Sequence, residues 1–548
     1  MLFILLSSSL AHYINFDIGS QFVRGAKIWA SGTPSMVSNR QGSTMTPNSV
    51  SFKTKDVPDG HLKADNISNL QVKYGNPSIQ NLKYNPSTGS PYLGYLLGRN
   101  NTDGIEIPKI ATSSELFSLL IQDLLSSKEF IGYEGVSFTI PAYYTYNQRK
   151  DIMRAIYIAN IPFLGLFDDF HAISYAYAHK NLDRFSGKNH SVLFIDVGAS
   201  HASAFRVDFY LNETGYIANL TSYEWSEETG SFAFARALAK EKSISFRKAM
   251  KLVQNGRVEA ETISNELDEL QRIINIALNG EKVDLVQLIG GASKLSLVEE
   301  AVKTATQMEI SRELAYVDTN ALGGALMAQI MATNMEWPVL IIRCPIYTMD
   351  VRCKSVSQHY CDKGGKCVKM MKLDDTICND IVFEADKSEI PIGTDPKIAE
   401  FHLDNISKFD HLKGDSINGF LELDPPLPQL VSVDWCLSAT LECKPINFST
   451  SVPTEEFESS KDFVNSIISF ESRTRKVMEM KAKIRVLADE LVSNAKGDAI
   501  ESANKISEKV TKIADESDDI PTLEDTIKQL KELYEEQEKY TADFNPEL

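Results

Sequence analysis

No cysteine precedes Cys344: all seven, Cys344, Cys353, Cys361, Cys367, Cys378, Cys436 and Cys443, fall in the later part of the 548 residues. The division marks a boundary, and in an oxidising compartment the second region is expected to carry disulfides, with one thiol left over because the count is odd. A zinc site is the rival reading, although no Cys-x-x-Cys pair occurs. After the first ten residues no apolar run reaches the roughly 18 residues that a membrane span needs, so the processed chain is expected to be soluble. Basic charge is scarce as well, with 56 Lys and Arg against 74 Asp and Glu, a net charge of -18. That balance disfavours nucleic acid or an anionic lipid surface as a partner. Much of the acidity lies beyond Glu455, where it solvates helices. The rest of the composition, 43% hydrophobic and 24% charged, is ordinary for globular protein and fits neither wholesale disorder nor a membrane bundle.

Residues 1–10 are an apolar run, and Ser9-Leu10-Ala11 supplies small side chains suited to signal-peptidase cleavage after Ala11. The basic residues that usually precede such a run are missing, which leaves a buried first strand as the alternative. The C-terminal Asn545-Pro546-Glu547-Leu548 approximates the acidic-Glu-Leu retention signal of the endoplasmic reticulum. Asn66-Ile67-Ser68 and Asn212-Glu213-Thr214 permit glycosylation. The expected location is therefore the endoplasmic-reticulum lumen.

Four segments are expected: a signal peptide at 1–11, an α/β region at 12–334, a β region at 335–453 and a helical tail at 454–548. In the first large region strand-like runs alternate with helical ones, the clearest helices lying at 114–126, 148–159 and 264–278. After Trp337-Pro338 the pattern changes to short β-rich pieces broken by Pro, Gly and Asp, such as Val431-Ser432-Val433 and 437–441. Beyond Glu455, residues 469–494, 499–515 and 522–540 space apolar residues helically among Glu and Lys, with breaks at Gly497 and Pro521. An intramolecular bundle is favoured over a coiled-coil dimer because the runs are short.

Three apolar runs end in small-residue turns: Asp17-Ile18-Gly19-Ser20, Asp196-Val197-Gly198-Ala199-Ser200 and Gly290-Gly291-Ala292-Ser293. The first two follow β-rich runs, Tyr13-Ile14-Asn15-Phe16 and Val192-Leu193-Phe194-Ile195, which deliver a carboxylate and then exposed backbone N–H groups to one point. Such a nest holds polyphosphate, and the Asp can orient hydrated Mg²⁺. Each turn alone is as readily an ordinary hairpin; the ordered set points to a pair of phosphate-gripping domains.

Together with Thr139-Ile140-Pro141-Ala142-Tyr143, the following Gln148-Arg149, the run 288–295 and the helix 323–329, these turns resemble the seventy-kilodalton heat-shock protein family of actin-like ATPase chaperones. Asp17-Ile18-Gly19-Ser20 with Arg24-Gly25-Ala26-Lys27, and Val339-Leu340-Ile341-Ile342, look most like its large endoplasmic-reticulum subclass, the glucose-regulated, hypoxia-upregulated type. The resemblance implies an actin-like two-lobe domain closing on ATP or ADP with Mg²⁺, a β-sandwich that grips extended apolar peptide, and a helical lid. It also implies that the chain speeds ADP release from the main luminal heat-shock-70 chaperone and holds unfolded polypeptides.

Carried over by position, Asp17 and Asp196 match the carboxylates that hold Mg²⁺ through water. Asp169 takes the place of a Glu that positions the attacking water, its bland alternative being a helix-start acid. Pro141 and Arg149 match an interlobe relay. Gly19, Ser20 and Gln21, with Gly198, Ala199, Ser200 and His201, would meet phosphate; Gly290, Gly291, Ala292, Ser293 and Asp318 would meet the nucleoside, with Lys251 as a cation over the base. Phe420, Leu421, Leu423 and Val431 are expected to be ordinary core rather than peptide contacts. Departures weaken hydrolysis. Leu70 falls where the family has a charge-stabilising Lys, with Lys63 and Lys73 out of register. Ala199 and Ser200 add Cβ atoms, Ser203 removes a carboxylate, and the adenine-capping interval 230–288 is shortened. Losing such charge stabilisation costs about 10²-fold or more in rate. Slow or absent ATP hydrolysis is expected; a competent cycling ATPase and an interaction module without nucleotide are the alternatives.

Overall fold

The computed structural model describes residues 12–53, 60–62, 70–99, 109–144, 146–185, 187–213, 215–333, 339–342, nine strands between 349 and 450, 455–497 and 499–542. The expected signal peptide lies outside the described residues. Contacts divide the chain into one unit of residues 1–61 and 73–461 and another of 62–72 and 462–548.

The first unit contains one sheet plan used twice. Strand β1 (His12–Ile18) is buried along its whole length, as a strand covered on both faces must be. It pairs antiparallel with β2 (Phe22–Trp29), which pairs antiparallel with β3 (Ser35–Val37). On its other side β1 pairs parallel with β4 (Tyr133–Ile140), and β4 with β5 (Phe163–Asp168). The second sheet repeats the plan around β6 (His190–Val197). Antiparallel β7 (Ala202–Asn212) and β8 (Gly215–Ser226) lie on one side, parallel β9 (Leu285–Ile289) and β10 (Ile310–Ser311) on the other, and β11 (Val339–Ile342) joins β8. Each central strand thus carries one Asp near its C-terminal end, followed by a tight turn into its antiparallel neighbour.

The helices read as their caps and apolar faces dictate. Helix α1 (Ser113–Leu125) opens one residue before the sequence expectation because Thr112 and Glu115 form a capping box. The Thr112 hydroxyl accepts from the Glu115 N–H at 3.2 Å and the Glu115 carboxylate from the Thr112 N–H at 2.8 Å. Helix α2 (Tyr146–Ala159) follows β4. Helix α3 (Asp169–Asn181) leaves β5, and α4 (Ser231–Lys242), α5 (Phe246–Gln254), α6 (Ser264–Leu278) and α7 (Ser296–Thr306) belong to the second sheet's half. Helix α8 (Thr319–Thr333) follows β10 as α3 follows β5.

Helices α3 and α8 cross at glycine contact. A Cβ on Gly323 would lie 2.0 Å from the Ala172 carbonyl oxygen, and one on Gly324 would lie 2.3 Å from the Asn15 amide nitrogen and 2.4 Å from Thr139 Oγ1. Asn15 is fully buried in mid-strand, yet its amide is satisfied. Its Nδ2 donates to Thr139 Oγ1 at 3.0 Å and to the Ala321 carbonyl at 3.3 Å, and its Oδ1 accepts from Ser137 at 2.8 Å. Strand β1 therefore grips the first turn of α8 through one side chain.

Between 349 and 450 the backbone forms two antiparallel sheets. One has the order 356–361, 349–353, 380–385, 397–403, 448–450; the other 370–373, 417–424, 429–437, 443–445. The register sets Cys436 opposite Cys443, while Cys344, Cys367 and Cys378 lie outside the described residues. In the second unit α9 (Glu455–Asn494), α10 (Ala499–Glu516) and α11 (Ile520–Ala542) share one core. Ile484, Ala488 and Leu491 of α9 meet Val510 and Ala514 of α10 and Leu523 and Leu530 of α11, so the tail is an intramolecular bundle. Helix α9 starts 14 residues before the expected 469, as 469 − 455 gives, and Pro521 sits in the first turn of α11, where its missing N–H costs nothing. Among the described residues no helix is long and apolar enough to cross a membrane.

The crossing yields the first prediction. Gly323→Ala forces a methyl group against backbone that cannot rotate away, and is expected to destabilise the first unit by about 2–3 kcal/mol, the usual cost of overpacking. Thermal unfolding with hydrogen exchange at α3 and α8 measures it; an unchanged transition would show that the helices separate freely.

Candidate functional site: an acidic cleft between two sheets

The ends of β1 and β6 face a common cavity of about 410 Å³. Asp17, Asp169 and Asp196 line it, joined by Gly19, Ser20 and Gln21 of the first turn, Gly198, Ala199 and His201 of the second, and Gly290, Gly291 and Ala292 of the third. Three turns far apart in the chain thus meet at one site. The third needs glycine: Gly290 has φ +90, and a Cβ there would sit 2.2 Å from Asp196 Oδ1 and 2.4 Å from the Val197 carbonyl oxygen.

The electrostatics are dominated by buried acid. Burial first of all raises Asp17 to about 7, with Asp196 adding repulsion and Arg24 and an Asn320 hydrogen bond opposing. Burial likewise raises Asp196 to about 6, again opposed by Asn320 and Arg24. Asp169 lies well above the usual carboxylate range because of burial and then of Asp196 and Asp168. Asn320, in the first turn of α8, lines the same cavity and lowers both Asp17 and Asp196. Asp169 is the first residue of α3: its Oδ1 accepts from the Phe170 N–H at 2.7 Å and the Ala142 N–H at 3.1 Å, while its buried Oδ2 has no partner. It is a helix-start acid and a cavity carboxylate at once.

Other expected residues fall just outside the cavity lining. Ser200 is buried and bridges the two turns, its Oγ lying 2.5 Å from Ser20 Oγ. Ser293 turns its hydroxyl back to the Gly290 carbonyl at 2.7 Å. Asp318 lies 3.8 Å from Arg24 Nε. Lys251 is placed differently from the expectation. Helix α5 buries Ala249, Met250 and Val253, so Lys251 points to solvent and Val253 and Gln254 line the cavity instead. Lys294 lines the cavity too, with its Nζ 4.6 Å from the centre of the Tyr316 ring. Neither Leu70 nor Lys73 lines the cavity, and Lys63 lies outside the described residues. Ser203 is buried opposite Asp196 on β7.

Pro141 lines the cavity. Arg149 is fully buried behind it, paired with Asp168 at 2.7 Å and donating to the Tyr144 and Ala142 carbonyls at 2.9 and 2.6 Å, which fixes the strand end that leads from β4. Three features go beyond the sequence expectations, which place His201 at phosphate without its environment. Tyr143 stacks on Trp225 at 4.4 Å and packs on His201 at 4.6 Å, tying the first sheet's half to the second. His201 is held neutral, lowered to about 3 by burial and then by Arg99, and its Nε2 has no hydrogen bond. Arg24 and Asn320 face the acids. Arg24 was legible in principle, since a hairpin that turns at residues 19–22 sets 24 opposite 17; Asn320 carried no local signal.

The residues fit a nucleotide: a glycine cradle closed by backbone, and an unpartnered carboxylate oxygen at the floor. Mg²⁺, when bound, would supply charge neutralisation at phosphate; Asp17 and Asp196 would hold it through water, for among the described residues no cluster of three or more His, Cys, Asp or Glu is arranged to ligate a metal.

A sheet plan used twice, with paired acids where the central strands end in one cleft, is consistent with the actin-like class of two-lobed nucleotide-binding folds. Residues 112–277 match the family profile described as Hsp70 protein, so the chain carries an Hsp70-family domain. It is also similar to the 97 kDa heat shock protein of Strongylocentrotus purpuratus, 21% identical over 397 residues that cover 59% of this chain and 43% of that protein. A protein of the same description from Mesocentrotus franciscanus is 21% identical over 397 residues, 59% of this chain and 44% of its own length. The chain spans less than half the length of these curated relatives.

The buried acids set a pH dependence. A carboxyl raised in the folded state contributes stability in its neutral form, fully present below the unfolded value near 4 and lost as pH rises through about 6 to 7. Asp17→Asn is expected to stabilise the ligand-free protein at pH 8 by on the order of 2 kcal/mol and to flatten the decline between pH 5 and 8. Thermal melts across that range check it. A variant no more stable than the parent at pH 8 contradicts the burial argument.

Proposed function

We propose that this chain is a luminal heat-shock-70-like chaperone that binds ATP or ADP weakly or structurally, promotes nucleotide exchange on a partner chaperone of the same family, and holds unfolded polypeptide. The observation that carries the reading is the sharing of one cleft by Asp17 and Asp196, each the acid of a repeated central strand. The Hsp70-family segment and the heat-shock relatives support it. The finer parts belong to the same proposal: the large endoplasmic-reticulum subclass, the signal peptide, the boundaries near 334 and 453, and a sandwich of the two antiparallel sheets that grips apolar peptide.

Within this reading hydrolysis is slow or absent. Asp169 Oδ2 can accept a proton from water, but Lys73 does not line the cavity, and Ser203 stands where a further carboxylate is expected. Calorimetry with Mg-ATP on the full chain, joined to a single-turnover assay, is expected to show micromolar binding without turnover. Rapid turnover would favour a cycling ATPase, and no heat with either nucleotide would favour an interaction module.

The exchange activity has its own test. Adding the chain in equimolar amount to a luminal heat-shock-70 chaperone loaded with labelled ADP is expected to speed release of the label about tenfold or more, a coupling of ordinary allosteric size. An unchanged release rate removes the exchange-factor reading while leaving nucleotide binding untouched.

A further inference from the structure

We propose that the Arg24 guanidinium is the resident cation of the cleft, so that the site takes a nucleoside polyphosphate without requiring a divalent ion. The inference rests on the reading of the cleft as a nucleotide site and departs from the metal that the family resemblance implies.

Arg24 stands on β2 directly opposite Asp17 in the β1–β2 register, so the hairpin itself fixes its position. Its side chain is 11% exposed and lines the cavity. Its charge is nevertheless loosely placed. Nη1 lies 4.0 Å from Asp17 Oδ2 and Nε lies 3.8 Å from Asp318 Oδ1, both beyond hydrogen-bond reach. Nη2 donates to the Met45 sulfur at 3.2 Å, a weak acceptor, and Nε makes no hydrogen bond.

Other arginines of this chain behave differently. Arg184 grips Glu313 with two bonds at 2.9 and 3.0 Å, and Arg272 grips Glu269 at 2.7 and 2.8 Å. Arg149 closes on Asp168 at 2.7 Å. A guanidinium held between two carboxylates without a fork onto either keeps donors available, and its planar geometry suits phosphoryl oxygens.

The remaining charges give this arginine its role. Asp17, Asp169 and Asp196 line the cavity; among the described residues Lys294 lines it too, 4.6 Å from the centre of the Tyr316 ring, while Arg24 Cζ lies farther, 5.8 Å, from the centre of the Phe22 ring. A bound polyphosphate would add negative charge to that acidic wall, and Arg24 is the positive group fixed beside Asp17. A hydrated divalent ion held at Asp17 would meet the guanidinium as a like charge at close range, so the two cations compete for one place. Arg24 is attached to the chain and needs no recruitment.

The test is calorimetry of ADP and of ATP with the full chain, in Mg²⁺ and in excess EDTA. Wild-type affinities in the two conditions are expected to agree within about threefold, because the guanidinium does not leave with the metal. Arg24→Met is expected to lose about tenfold to a hundredfold of the affinity in EDTA, the worth of a charge-assisted hydrogen bond, and to regain part of it in Mg²⁺. Arg24→Lys keeps the charge and is expected to retain binding in EDTA within several-fold of wild type, with thermal melts confirming that both variants fold. Wild-type binding that persists in Mg²⁺ and disappears in EDTA overturns the inference and leaves the nucleotide reading standing. No binding in either condition overturns both.

Discussion

Burying two carboxylates at the ends of twin central strands is the constraint around which this protein is arranged. Asp17 and Asp196 lie in low-dielectric surroundings, where a charge is costly unless it is neutralised, hydrogen-bonded or paired. The fold answers with the first turn of α8. Asn320 lines the cavity with both acids and favours their charged forms, and the positive end of the helix lies beside them. That placement depends in turn on how closely α8 approaches β1, which the Asn15 amide and the glycines at 323 and 324 determine. Asn15, Gly324 and Asn320 thus act in sequence: a strand side chain sets the depth of a helix, and the helix delivers an amide to the acids.

The parts of this arrangement that repeat locally were legible in the sequence. The strand, acid and turn pattern at Asp17 and at Asp196 identified both central strands, because hydrophobic runs that end in an acid and glycine have few other outcomes. The C-terminal helices were legible for the same reason, through apolar spacing uninterrupted between Gly497 and Pro521. What depended on register or on rotation about a helix was not. Lys251 was assigned to the cleft by position, but the phase of α5 is set by Ala249, Met250 and Val253, and a lysine on the other face cannot follow them inward. Arg24 belongs to a sequence motif, but its place beside Asp17 follows only from the hairpin register. Asn320 lies more than a hundred residues from Asp196 and some three hundred from Asp17 in the chain, so only the crossing of α3 and α8 brings them together.

The departures from the family pattern at the second turn acquire a physical meaning once the turns are seen in contact. Ser200 does more than add a Cβ near phosphate: its hydroxyl spans to Ser20 at 2.5 Å and links the two turns directly. Tyr143 stacked on Trp225 makes a second link across the halves, and its hydroxyl lies 3.3 Å from Glu227, which Arg99 grips. Burial holds the Tyr143 phenol well above its usual value, so it stays a hydrogen-bond donor at any physiological pH.

These links favour the closed cleft whether or not nucleotide is present. A neutral hydrogen bond contributes about 1 kcal/mol and an aromatic pair about 0.5–1.5 kcal/mol, so the Ser20–Ser200 and Tyr143–Trp225 contacts together bias closure by roughly 2 kcal/mol. A ligand can shift an opening equilibrium only by its differential affinity for the two states. Where the protein already supplies part of the closure energy, nucleotide has less to add, and its arrival or loss moves the lobes less. On the proposed reading such a cleft would hold nucleotide structurally, whereas a machine that couples each hydrolysis to opening needs a closed state held mainly by its ligand.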